Sequence, residues 1–132
     1  MLEEEGLDAV FARHARLAEA TRAAVRVWGS DGKGPQLFCQ TPDRLSNSVT
    51  AVVMPEGVSS DPLRKTAIDR FNLSLGGGLG KMMGKMFRIG HMGDLNEPML
   101  LGCLATTELA MQSSGVPFVP GGVDAAIKSL AA

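Results

Sequence analysis

The segment "KMFRIG", residues 85–90, predicts a β-strand whose two faces differ in chemistry. Because side chains alternate along a strand, Phe87 and Ile89 lie on one face, whereas Arg88 and Gly90 share the other. We expect Phe87 and Ile89 to point into a core beneath helices. Arg88 then projects from the opposite face, and Gly90 beside it leaves space for a close approach.

This pattern alone leaves two interpretations of Arg88 open. A planar guanidinium suits bidentate contact with a carboxylate, so Arg88 could bind an acidic ligand. The same side chain could equally form an ordinary structural salt bridge, because ion pairs within the fold also involve arginine.

The glycine-rich sequence before this strand does not match a nucleotide-binding motif. A Walker-type phosphate loop places a glycine five residues before Gly-Lys and a serine or threonine after it. Counting back from Gly84 reaches Leu79, and counting back from Gly80 reaches Leu75, while methionine follows the lysine in both registers. The match to a dinucleotide fingerprint is weak, because the spacing is one residue too long and a strand rather than a helix follows.

Metal and nucleophile sites find equally little support. His14 and His91 lie far apart in sequence, and no carboxylate or cysteine spacing joins them into a metal site. Cys39 and Cys103 are too few for a disulfide framework, and we interpret them as two buried thiols in a reducing compartment. Neither cysteine forms a recognisable catalytic arrangement with a histidine.

Outward from the strand, the pattern predicts a long amphipathic helix followed by short strands and further helices. The first helix spans 7–28, and its expected apolar residues include Leu7 and Phe11. In the second helix, Asp61 is the expected cap and Ile68 part of the buried stripe. The remaining predicted elements are strands at 36–40 and 48–54, a helix capped by Asn96 and ended by Gly115, and a last helix at 123–130.

Helices that alternate with a few short strands indicate an α/β (α+β) two-layer sandwich. We expect a sheet of three to four strands with helices on one face, so that its other face needs a partner. The 132 residues fit one domain, 1–132, and the net charge of −1 gives no general attraction to nucleic acid. The acidic N-terminus lacks a secretory signal and no apolar run could span a membrane, which predicts a cytoplasmic chain.

The segment "GGLGKMMGKMFRIGHMGDLNEPML", residues 77–100, resembles the C-terminal part of class V, fold-type I, pyridoxal-phosphate aminotransferases. Within that family it is most similar to the alanine–glyoxylate and serine–glyoxylate aminotransferase group, with the serine–glyoxylate branch preferred. The resemblance continues through residues 4–29, 46–57 and 63–80 in the same order, and therefore covers nearly the whole chain.

The resemblance implies that Arg88 binds the α-carboxylate of the substrate. It also implies that Gly77, Gly78, Leu79 and Gly80 form a loop leading toward the site. In such enzymes serine or alanine passes its amino group to pyridoxal phosphate, and glyoxylate then receives it and becomes glycine. The Schiff-base lysine and most cofactor contacts belong to a large domain that precedes this one, and the enzymes are homodimers.

Lys81 and Lys85 do not match the cofactor lysine of the family, and the 132 residues do not include the large domain. We therefore expect an isolated C-terminal small domain that has no bound cofactor and no transaminase activity by itself. Its exposed apolar surface would favour self-association. The alternative hypothesis is a stand-alone ligand-sensing or protein-interaction module that uses the same fold without catalysis.

Overall fold

The computed structural model describes residues 6–38, 49–78, 80–90 and 95–132. Helix α1, Leu7–Trp28, follows Gly6 and ends at Gly29. Its middle and C-terminal turns are buried, but Leu7 and Phe11 are 57% and 63% exposed. Both belong to the apolar face of the predicted amphipathic helix, but helical periodicity does not show where along a helix the core begins.

The described strands form one antiparallel sheet in the order β1-β2-β4-β3. Their bounds are Gln36–Leu37 for β1, Val49–Val53 for β2, Gly76–Gly77 for β3 and Met86–Gly90 for β4. A short 3-10 helix, Gly80–Met82, lies between the last two strands. The predicted strands at 48–54 and 85–90 are thus present with slightly shorter bounds.

Helix α2, Ser60–Phe71, is capped by Ser59, whose hydroxyl oxygen accepts a hydrogen bond from the Asp61 backbone N–H at 3.1 Å. The prediction that Asp61 caps this helix was wrong by two residues. Asp61 instead lies in the first turn, where its negative charge interacts favourably with the positive end of the helix dipole. Ile68, expected in the buried stripe, is 46% exposed.

Helix α3, Glu97–Ser114, begins and ends at the predicted residues. The side chain of Asn96 accepts a hydrogen bond from the Met99 N–H at 2.9 Å, and Gly115 ends the helix in a left-handed conformation. Helix α4, Gly122–Ala131, completes the described chain.

All four described helices contribute to one core on one side of the sheet. The sheet contributes Val52, Phe87 and Ile89, and α1 contributes Leu17, Val25 and Trp28 among others. The α+β two-layer sandwich predicted from the sequence is thus confirmed, with the long helix first. None of the described helices is long and apolar enough to cross a membrane.

Helix α3 offers a matched pair of glycines for a stability test. Gly102 is exposed within the helix, and an added Cβ would contact no atom within 4 Å. We expect Gly102→Ala to raise the free energy of unfolding by about 0.4–1 kcal/mol, measured by urea denaturation. Gly115→Ala should instead lower it by about 1–2 kcal/mol, because Gly115 has φ +79°. Equal effects at both positions would contradict the helix end described above.

Candidate carboxylate-binding site

Strand β4 separates the two faces of the sheet as its alternation predicts. Phe87 is fully buried and pairs with Val52 of β2 on the core face. Arg88 pairs with Ala51 of β2 on one side and with Gly76 of β3 on the other. The guanidinium therefore leaves the sheet on the face opposite the helices, flanked by two of the smallest residues.

The guanidinium of Arg88 lies against the backbone of Gly76. A Cβ built on Gly76 would stand 3.2 Å from Nε, 3.3 Å from Cβ and 3.5 Å from Nη2 of Arg88. Arg88 is half-buried, and its Nε is shielded from solvent without a hydrogen-bond partner among the described residues. A buried donor without a partner is costly and uncommon, so it marks a place where a ligand can supply the acceptor.

Within residues 6–38, 49–78, 80–90 and 95–132, no carboxylate forms an ion pair with Arg88. In that part of the chain Arg88 thus has no acidic partner for an ordinary structural salt bridge. The charge remains available for an external acid group, and the buried Nε together with a terminal nitrogen offers the fork that binds a carboxylate in two places.

The two glycines that follow Gly76 have their own close neighbours, which do not include Arg88. A Cβ on Gly77 would stand 2.6 Å from Nη1 of Arg64, on the core face of β3. A Cβ on Gly78 would meet the backbone oxygen of Met82 at 2.2 Å. Gly80 follows with φ +58°. Gly77 belongs to strand β3 rather than to a loop, and Leu79 lies outside the described residues.

A cleft of about 510 Å³ opens at one end of the same sheet region. Its lining includes Val53, Pro55, Val58, Met82 and Lys85. Arg88 does not line it, so this cleft is not the candidate carboxylate site.

The lysines of this chain do not fit the role of the cofactor lysine. All five are solvent-exposed: Lys33, Lys65, Lys81, Lys85 and Lys128. Lys65 donates a hydrogen bond to Asp69, and this contact raises its pKa. A Schiff-base lysine instead requires a desolvated setting that lowers its pKa. The described residues therefore do not supply a lysine suited to hold pyridoxal phosphate.

The other groups considered from the sequence do not form a second site. Cys103 is half-buried, and burial raises the pKa of its thiol, which suits an unreactive side chain. No group of three or more potential metal ligands occurs in the described part of the chain, which includes His14. Cys39 and His91 lie outside the described residues.

Two features of the site were missed from the sequence. Gly76, the neighbour of the Arg88 guanidinium, was not singled out, because the pairing of β3 with β4 cannot be recognised from glycines. The side chain of Arg64 crosses beneath Gly77 and donates a hydrogen bond from Nε to the backbone oxygen of Leu75 at 3.0 Å. The long glycine run before "KMFRIG" was the available signal, because such a run allows two arginines to lie close to one strand.

Comparison with known proteins gives consistent matches. The chain is 47% identical over 127 residues to a serine–glyoxylate aminotransferase of Arabidopsis thaliana, covering 96% of this chain and 30% of the relative. It is 47% identical over 128 residues to a serine–glyoxylate aminotransferase of Methylorubrum extorquens, and the match covers 97% of this chain and 31% of that relative. An L-aspartate–glyoxylate aminotransferase of Paracoccus denitrificans is 42% identical over 92% of this chain, which covers 30% of that relative. No protein-family model matches the chain.

Solved structures agree with these relatives. Pyridoxamine–pyruvate aminotransferase from Mesorhizobium loti has a TM-score of 0.85 at 34% identity, with 98% of this chain and 32% of that chain covered. Ureidoglycine–glyoxylate aminotransferase from Bacillus subtilis has a TM-score of 0.87 at 26% identity, with 99% and 33% covered. The chain spans about a third of the length of these proteins. In sequence and fold the chain is thus similar to the C-terminal part of class V pyridoxal-phosphate aminotransferases, with serine–glyoxylate aminotransferases among these relatives.

Proposed function

We propose that this chain is the small domain of a serine–glyoxylate aminotransferase and that Arg88 binds the α-carboxylate of both substrates. The amino donor is serine or alanine, and glyoxylate is the acceptor. In this proposal pyridoxal phosphate is held by a large domain, and the complete enzyme is a cytoplasmic homodimer. The chain by itself holds no cofactor and has no transaminase activity.

The observation that carries the proposal is the unsatisfied guanidinium of Arg88. Its Nε is buried without a hydrogen-bond partner in the described chain, and it lies on the sheet face opposite the helices. Arginine stays protonated over the whole physiological range, so it attracts an acid at any working pH. Two parallel hydrogen bonds also fix the rotation of the acid about the reacting carbon, which aligns the amino or oxo group for reaction.

Exposed apolar side chains support contact with a further domain or subunit. Leu7 and Phe11 are more than half exposed on the first turns of α1, and Met83 is 70% exposed beside β4. The sheet face that carries Arg88 is opposite the face that packs against the helical core. A large domain that packs against this face would bury such surface and would enclose a ligand bound to Arg88.

The assay that tests this function compares the complete reading frame with the 132-residue chain. We expect the gene to continue in frame upstream of Met1 into a lysine-bearing domain. The complete protein should absorb as a pyridoxal-phosphate enzyme and form glycine from glyoxylate with serine as donor. The chain alone should show neither property. A complete protein with bound cofactor that forms no glycine from serine or alanine would contradict the proposed substrates.

A further inference from the structure

We propose that Gly76 is a positioning residue for Arg88, a role that rests on the proposed function. A Cβ on residue 76 would stand 3.2 Å from Nε and 3.3 Å from Cβ of Arg88, which is tight enough that the arginine side chain would have to shift. The missing side chain thus lets the guanidinium lie against strand β3 and sets the direction from which it meets a carboxylate.

The backbone conformation does not account for glycine at position 76. Gly76 does not have a positive φ, unlike Gly80 and Gly84, so any residue could adopt its backbone conformation. Strands disfavour glycine, which loses more conformational entropy on folding and contributes no packing. The specific benefit of glycine here is therefore the space that it leaves for Arg88.

Among the positions that flank Arg88, position 76 is the one where an added side chain would contact the arginine. Ala51 on the other flanking strand already carries a Cβ. Gly90 lies on the same face of β4 two residues further along, but a Cβ added there would contact no atom within 4 Å. Of the two strand glycines beside this arginine, only Gly76 would bring an added Cβ into close contact with it.

The test compares Gly76→Ala and Gly76→Val with the control Gly102→Ala in the complete enzyme. We expect KM for glyoxylate to rise several-fold for Gly76→Ala and about 100-fold for Gly76→Val, because a displacement near 1 Å can have that effect. Gly102→Ala in α3 should leave KM within about twofold of wild type, because an added methyl group meets no atom there. Melting temperatures that do not fall separate this effect from unfolding. Equal KM values for Gly76→Ala and Gly102→Ala overturn the proposal.

A second readout is independent of catalysis. The Nε–H resonance of Arg88, assigned by its loss in Arg88→Lys, should shift in Gly76→Ala but not in Gly102→Ala. If the wild-type complete enzyme transfers no amino group, the proposed function fails, and this resonance alone decides whether Gly76 positions Arg88. A resonance that is the same in Gly76→Ala and in Gly102→Ala overturns the positioning role.

Discussion

Replacing Arg88 with alanine in the complete enzyme should lower kcat/KM for glyoxylate and for serine by about 30-fold to several thousandfold. The estimate is the loss of about 2–5 kcal/mol that follows removal of one partner of a close charge pair. The kcat/KM of Arg88→Lys should lie between the values of Arg88→Ala and wild type, because lysine keeps the charge but lacks the planar guanidinium. Steady-state kinetics with each substrate varied in turn measures all three enzymes.

Two controls separate carboxylate binding from a general loss of function. Arg70→Ala removes another arginine, which is exposed on α2 and contacts the ring of Phe71 with its centroid 5.1 Å from Cζ. This variant should keep wild-type kinetics. Serinamide, which lacks the acid group, should react equally slowly with wild type and Arg88→Ala. A penalty of the same size for serine and serinamide would show that Arg88 does not act on the carboxylate.

Replacing Trp28 with alanine should lower the free energy of unfolding by about 3–5 kcal/mol, a large fraction of the stability of a small domain. Trp28 is fully buried at the end of α1. Its Nε1 donates a hydrogen bond to Oε1 of Glu108 at 2.8 Å, and its backbone oxygen accepts one from Val119 at 3.0 Å. Urea denaturation should show a lower midpoint with an unchanged m-value.

A double-mutant cycle separates the hydrogen bond of Trp28 from its packing. Oε1 of Glu108 also accepts a hydrogen bond from the backbone N–H of Gly122 at 3.0 Å, so this carboxylate links the end of α1 to the start of α4. Trp28→Phe removes the indole donor, whereas Glu108→Leu removes the acceptor. We expect a coupling energy of about 0.5–3 kcal/mol between the two changes. Strictly additive effects would contradict a stabilising contact between them.

Local pattern was sufficient to predict which side chains of β4 face the core and where α3 begins and ends. Alternation along β4 predicted that Phe87 and Ile89 face the core and that Arg88 faces away from it, and the structure shows this arrangement. Asn96 and Gly115 were correctly identified as the ends of α3, because capping chemistry acts within a few residues of a helix end.

Features that depend on distant parts of the chain could not be predicted in this way. Trp28 and Glu108 are 80 positions apart, and nothing in either local sequence indicates their contact. The pairing of Gly76 with Arg88 was missed because strand propensity is low for glycine. Ile68 fits a helical stripe but is exposed, since periodicity defines a face of the helix and not how far its neighbours extend over it.

The most direct test of the account is a crystal structure of the complete enzyme with glyoxylate or serine bound. We expect both carboxylate oxygens of the ligand about 2.7–2.9 Å from Nε and one terminal nitrogen of Arg88. The contrary result is a ligand carboxylate held by other residues while Arg88 forms an ion pair with an acidic side chain of the protein.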